Sequence, residues 1–81
     1  MTIRTQPDAV RPFRLDFAPM RKLRKGEEIT LLALATAAGI DKITLWRVEN
    51  NRSKPQLHTL IALSRALGVP MHQLYTVTDR P

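Results

Sequence analysis

The 81-residue sequence contains no cysteine. Neither disulfide bonds nor thiolate metal sites can therefore support the fold, and the reducing cytoplasm is the expected location. No apolar run approaches membrane-spanning length, and the N-terminal residues lack the apolar core of a secretion signal. Glycine-rich phosphate-binding loops are also absent. We therefore expect no membrane partner and no cofactor.

Catalytic constellations are missing as well. His58 and His72 are fourteen residues apart on different predicted helices, without a ligand pair or a nucleophile–base spacing. Both are most simply solvated helix residues. The carboxylates are scattered, and a chain of this length has little room for an enclosed catalytic cavity. The sequence predicts no enzyme, no catalytic residue and no metal site.

Positive charge is abundant. Thirteen lysines and arginines against seven acidic residues give a net charge of +6, which favours a polyanionic partner. Charge alone does not separate nucleic acid from a membrane surface, and a basic surface that only maintains solubility is the alternative. A membrane-surface role needs a basic amphipathic helix, whereas the apolar faces here are all required for a core.

Residues 30–49 carry the most informative pattern, T-L-L-A-L-A-T-A-A-G-I-D-K-I-T-L-W-R-V-E. Thr30 suits the N-cap of a first short helix, in which apolar residues recur at three- and four-residue steps. Gly39 can adopt the positive φ that a sharp helix exit needs, and Asp41 caps a second helix. The pattern predicts a helix-turn-helix, the geometry that places one helix in a DNA groove.

The second helix of this pair has two distinct faces. Leu45 and Val48 are predicted to face inward. Four residues are left on the outside: Lys42, Ile43, Trp46 and Arg47. An outward face of this kind is typical of a recognition helix.

The whole pattern predicts an all-α fold, a compact bundle of five short helices over residues 19–75. The first helix runs from Pro19 to near Gly26, Asn51 is the left-handed residue that stops the third, and Val69-Pro70 opens the fifth. The fourth runs from about Gln56 to Leu67, with a buried stripe of Leu57, Leu60, Ile61, Leu63 and Ala66. Residues 76–81 are a short tail with little information.

Residues 1–18 form a separate N-terminal extension. Its prolines argue against a helix before Pro19. From Phe13 to Phe17, apolar residues alternate with charged ones, as in a half-buried strand. A lone strand is not stable by itself. The segment therefore pairs with another chain's strand, lies along the helices, or remains a flexible basic arm.

Short motifs follow one another in order over residues 20–75: L-R at 23–24, I-T-L and L-A within 29–35, A-G-I at 38–40, V-E-N at 48–50 and K-P at 54–55. Together with the later run L-H-T-L-I-A-L-S-R-A-L-G-V-P-M-H-Q-L-Y, they resemble the lambda-repressor-like helix-turn-helix family, also called the xenobiotic-response-element family. Members of that family bind operator DNA as symmetric dimers and act as repressors, activators or antitoxins. The resemblance implies a sequence-specific transcriptional regulator, with double-stranded DNA and a second copy of the chain as partners.

The resemblance also implies roles for single residues. Lys42, Ile43 and Arg47 are expected to contact the base edges. The lysine and the arginine can donate hydrogen bonds to guanine, and the isoleucine can contact a thymine methyl group. Backbone contacts are expected from four residues: Thr44, Asn50, Arg52 and Lys54. Arg24 and Glu49 are expected to form a partly buried salt bridge between the first and third helices, the alternative being two unrelated surface charges.

The sequence departs from the family pattern in the second helix. Leu31 stands where glutamine is frequent, and Leu32 and Ala33 stand where outer positions are usually polar. With Ile43 and Trp46 they form an apolar surface that a purely DNA-binding face does not need; we expect Trp46 to pack within the chain. An alternative function follows, a protein-interaction module that binds a toxin or another regulator through the N-terminal segment or the Leu32/Trp46 surface. The dimer surface is expected at the N-terminal strand or at the fourth and fifth helices.

Overall fold

The computed structural model describes residues 13–79 of the chain. The elements, in chain order, are Phe13–Asp16 (β1), Ala18–Gly26 (α1), Leu31–Ala38 (α2), Lys42–Glu49 (α3), Leu57–Leu67 (α4), a 3-10 turn at Met71–Gln73, and Thr76–Asp79 (β2). Predictions that concern residues 1–12 lie outside the described residues. None of these helices has the length and apolar content needed to cross a membrane.

A single apolar core draws side chains from every helix. Its buried members are Phe17, Met20, Leu34, Ala35, Leu45, Val48, Leu60, Leu63 and Leu74. Helix α2 packs against both α3 and α4. Ala35 on α2 is fully buried, so a small side chain stands where neighbouring parts of the core pack closely on α2. The core thus holds α2 and α3 as one unit.

The local signals of the helix-turn-helix are confirmed. The Thr30 side chain accepts a hydrogen bond from the Ala33 N–H at 3.0 Å and caps α2. Gly39 ends α2 in the left-handed region, at φ 76°. Asp41 caps α3 through the Thr44 N–H at 2.7 Å. Short-range hydrogen bonding, which the sequence reveals directly, therefore sets the ends of both helices.

The predicted fifth helix is wrong. Residues Met71–Gln73 make one 3-10 turn, after which the chain becomes extended and enters β2 at Thr76. The residues 76–78 are Thr, Val and Thr, and β-branched side chains favour a strand over a helix. Leu74 is nevertheless fully buried, so this segment contributes to the core without forming an α-helix.

The N-terminal strand is present, and it pairs with a strand that was not predicted. Strand β1 pairs antiparallel with β2 of the same chain, with Phe13 opposite Asp79 and Leu15 opposite Val77. Leu15 packs against the core, whereas Phe13 and Val77 are 57% and 61% exposed. The C-terminal segment, for which no structure was expected, supplies the pairing partner that β1 requires.

The buried stripe of α4 is narrower than predicted. Leu60 and Leu63 are buried, but Leu57 is 62% exposed and Ile61 is 37% exposed. Successive helical residues are rotated by about 100°, so residues 57 and 61 point roughly a quarter to a third of a turn away from the centre of the buried face. The apolar pattern of α4 is therefore wider than the face that α2 covers.

Candidate nucleic-acid interface

Helix α3 divides its side chains between the core and solvent as the sequence predicted. Leu45 and Val48 are buried. The exposed side chains are Lys42, Ile43, Trp46 and Arg47. Because residues four apart lie above one another on a helix, these four form two adjacent columns on one face. That face offers two cations and two large apolar groups to a partner.

The N-terminus of α3 is fastened by Asp41. Its carboxylate accepts hydrogen bonds from the Thr44 N–H at 2.7 Å and from the Thr44 hydroxyl at 2.9 Å. These bonds from Thr44 stabilise the ionised carboxylate and lower the pKa of Asp41 below its usual value of 3.8. The Thr44 hydroxyl, expected near a DNA phosphate, thus already donates to Asp41.

The C-terminus of α3 closes in a tight reversal. The Asn51 N–H donates to the Val48 carbonyl at 3.0 Å, and the Arg52 N–H donates to the Arg47 carbonyl at 2.7 Å. Asn51 has a φ of 59°, the left-handed conformation that this pattern requires. The Asn50 amide donates to the Trp46 carbonyl at 2.8 Å. The first residues of the following loop therefore have defined positions relative to the helix.

One cation of the loop after α3, Arg52, lies against that helix. The guanidinium carbon of Arg52 lies 5.6 Å from the centre of the Trp46 ring, within the range of a cation–π contact. Trp46 is still 45% exposed, so it packs within the chain on one side only. Lys54, further along the loop, is exposed. The backbone-contacting residues predicted in this loop, Asn50, Arg52 and Lys54, thus follow directly on the exposed face of α3.

The structure brings Arg24 and Glu49 together. Arg24 donates from Nε to Glu49 Oε2 at 2.7 Å and from Nη2 to Oε1 at 3.0 Å. Its third contact is to the Ile29 carbonyl, at 2.9 Å from Nη1. Arg24 is 9% exposed and Glu49 is 5% exposed, so the pair is buried. It ties α1 and the α1–α2 connection to the last residue of α3.

Metal ligands are not gathered anywhere in residues 13–79, where no group of three or more His, Cys, Asp or Glu side chains comes together. His58 and His72 both lie on the surface. The chemistry on offer at α3 is hydrogen-bond donation, positive charge and apolar contact. These groups suit a nucleic acid, which offers anionic phosphates and base edges, better than a metal ion or the substrate of a reaction.

A family model described as helix-turn-helix matches residues 20–74. The chain belongs to the lambda-repressor-like helix-turn-helix family. It is thus a member of a family of DNA-binding transcription regulators. No curated protein sequence matches the chain significantly.

Solved structures with the same fold include two that were determined with DNA. The structure superposes on the P22 c2 repressor in complex with a synthetic operator with a TM-score of 0.67 and 28% identity, covering 70% of this chain and 86% of the repressor chain. It is similar to SinR, a master regulator for biofilm formation, in complex with DNA, with a TM-score of 0.66 and 31% identity, over 70% and 95% of the two chains. The restriction-modification controller protein C.AhdI from Aeromonas hydrophila shares the fold at 24% identity, with a TM-score of 0.68 and coverage of 70% and 86%.

One feature of this helix-turn-helix was missed by the sequence analysis, the side-chain role of Asn51. Its Oδ1 accepts from the Phe17 N–H at 3.0 Å, and its Nδ2 donates to Asp16 Oδ1 at 3.1 Å. Asp16 Oδ1 also accepts from the Ala18 N–H at 3.0 Å. The Asn51 bond, followed by that from Ala18, lowers the pKa of Asp16. The partners are separated by more than thirty residues, so no local sequence pattern reveals them.

Proposed function

We propose that this chain is a sequence-specific transcriptional regulator that reads the DNA major groove with α3. The observation that carries the proposal is the exposed face of α3, where Lys42, Ile43 and Arg47 lie side by side on a helix anchored at both ends. The similar P22 c2 repressor and SinR structures contain DNA, which supports the same use of this fold here.

Each proposed reading residue has a definite chemistry. Arg47 donates two parallel hydrogen bonds to the O6 and N7 atoms of a guanine, and Lys42 donates to a second acceptor in the groove. Ile43 contacts a thymine methyl group. A good bidentate pair discriminates between bases by about 1–3 kcal/mol, so Arg47 is assigned the largest share of the specificity.

The loop after α3 and the start of the helix supply the proposed backbone contacts. Arg52 and Lys54 are exposed cations that neutralise phosphates, and Asn50 has a second amide N–H beyond the one that donates to Trp46. Thr44 is the weakest of the four, because its hydroxyl already donates to Asp41. These contacts make the affinity strongly dependent on salt concentration.

We further propose that the regulator binds as a homodimer. Two copies of α3, about 34 Å apart, would enter successive major grooves on one side of the duplex and match a palindromic site. The most direct biological role for such a protein is repression, with an antitoxin-type regulator of its own gene as the specific form.

Fluorescence anisotropy tests the proposal. Binding to the DNA upstream of the gene is compared with binding to a scrambled duplex, for the natural protein and for Lys42→Ala/Arg47→Ala. The matched control is Lys25→Ala/Arg65→Ala, which removes the same charge from exposed positions on α1 and α4. The proposal predicts preference for the upstream DNA, lost only in the α3 variant. Equal weak binding to both duplexes, unchanged in the α3 variant, would reject it.

A second function is favoured by a separate observation. Leu32 on α2 is 59% exposed, and Ile43 and Trp46 on α3 are 61% and 45% exposed. Exposed apolar side chains of this size on two helices that pack together suit a protein partner such as a toxin or another regulator. The two functions can coexist. Lys42→Ala/Arg47→Ala separates them, because it should abolish DNA binding and preserve capture of a protein partner.

A further inference from the structure

The reversal at the end of α3 has a consequence for one side chain. In this arrangement the N–H groups of Asn51 and Arg52 return to the carbonyls of Val48 and Arg47, which turns the chain back over the last helical turn. Arg52 is thereby placed above the ring of Trp46, at 5.6 Å from its centre. The backbone reversal therefore brings residue 52 within side-chain reach of the ring.

The contact leaves the guanidinium able to bind an anion. A cation–π contact uses the face of the indole ring, and the N–H donors of an arginine point along the edges of its plane. Trp46 lies one helical turn after Lys42 and next to Arg47, so the guanidinium stands beside the proposed reading face. A phosphate at the edge of the major groove is the anion that this position fits.

We propose that Trp46 is a positioning residue, whose ring holds the Arg52 guanidinium in place to bind a DNA phosphate. The inference rests on the proposed DNA-binding function and names the group that orients one of its backbone contacts. A long surface cation samples many rotamers and loses that freedom when it binds. A guanidinium already held against Trp46 has less freedom left to lose, so Trp46 strengthens DNA binding through Arg52.

A double-mutant cycle on DNA binding tests this role. The natural protein, Trp46→Ala, Arg52→Ala and the double variant are titrated into a short, labelled duplex of arbitrary sequence, because a phosphate contact requires no operator. The slope of log K against log salt is negative, and each lost phosphate contact makes it less steep by about 0.9. The affinity advantage of the natural protein over Arg52→Ala should therefore shrink about 3.5-fold between about 50 and 200 mM salt. Trp46→Ala should weaken binding throughout this salt range, by no more than Arg52→Ala does. The double variant should bind no worse than Arg52→Ala.

Two conservative variants separate positioning from a general effect of substitution. Trp46→Phe keeps an aromatic face and should retain an affinity close to that of the natural protein. Arg52→Lys keeps the charge without the planar group. Its affinity for the duplex should lie between those of the natural protein and Arg52→Ala. Trp46 is the only tryptophan in the chain, so its emission reports the contact directly. Arg52→Ala should change that emission in the absence of DNA, and unchanged emission would overturn the contact.

Three further outcomes would each contradict the positioning role, the proposed function or both. If Trp46→Ala binds as tightly as the natural protein while Arg52→Ala binds more weakly, the positioning role is overturned and the proposed function stands. If the losses of the two single variants add in the double variant, Trp46 acts independently of Arg52 and the role is again overturned. If the natural protein shows no salt-dependent binding to duplex DNA, the proposed function fails and this inference fails with it.

Discussion

Arg24 and Glu49 form a buried, bidentate salt bridge that joins α1 to the final residue of α3, with N–O distances of 2.7 and 3.0 Å. The geometry is that of a charge-assisted pair in which both carboxylate oxygens are satisfied. With Asp41 at the other end, the pair fixes both ends of α3. A recognition helix needs such anchoring, because base contacts demand a fixed orientation of the helix in the groove.

Breaking this pair should destabilise the fold strongly. Glu49→Ala leaves the Arg24 guanidinium buried without its carboxylate, and removal of one partner of a buried pair costs about 3–5 kcal/mol. Urea unfolding followed by circular dichroism measures this loss. The control is Arg21→Ala on the exposed side of α1, for which we expect a change within about 0.5 kcal/mol.

Replacing both partners should recover much of the loss. In Arg24→Met/Glu49→Leu no charge is left without its counterpart, and apolar replacement of a buried ion pair is often neutral or stabilising. A double variant as unstable as the sum of the two single variants would show that the pair acts through something other than its mutual compensation.

Asn51 should contribute through both its backbone conformation and its side chain. Asn51→Gly retains the left-handed conformation but removes the hydrogen bonds to Phe17 and Asp16, with an expected cost of about 1–2 kcal/mol. Asn51→Ala should cost about 1 kcal/mol more, because alanine is strained at a positive φ. Thermal unfolding of both variants provides the measurement. Equal stability of Asn51→Gly and the natural protein would mean that the side-chain bonds contribute nothing.

Acid should weaken the cap of α3. The hydrogen bonds from Thr44 lower the folded-state pKa of Asp41 below 3.8, so the stabilisation from its charge is complete above that value and is lost as the pH falls through the lower folded pKa. Asp41→Asn keeps a capping oxygen that does not titrate. Unfolding free energies measured for both proteins should therefore differ more at pH 6 than at pH 2.5. A difference that grows towards low pH would contradict the sign of this shift.

The parts of the fold that depend on short-range chemistry could be predicted from the sequence. Thr30, Gly39 and Asp41 specify the ends of α2 and α3 through bonds and dihedral preferences within a few residues. The alternation at β1 likewise revealed a strand. The partner of that strand could not be predicted from the sequence. Residues 13–16 pair with residues 76–79, at the opposite end of the described chain, and no local pattern connects the two segments.

The candidate interface likewise has features that the sequence predicts and features that depend on how distant residues pack. The outward face of α3 follows from helical periodicity, so its composition was visible in the sequence. The contact between Asn51 and Asp16 and the contact between Arg52 and Trp46 depend on how the chain reverses after α3. In α4, by contrast, the apolar pattern predicts more buried positions than the structure contains. Leu57 and Ile61 fit a helical period, yet only packing decides which apolar positions are covered.

Selection from a random DNA library tests whether α3 reads base identity. The natural protein and Arg47→Ala each select their preferred duplexes under the same conditions. The natural protein should enrich a palindromic motif with a guanine in each half. Arg47→Ala should lose the preference at that position alone, at a cost of about 1–3 kcal/mol per contact. Recovery of the same motif by both proteins, or of no motif by the natural protein, would contradict the assignment of α3 as the reading helix.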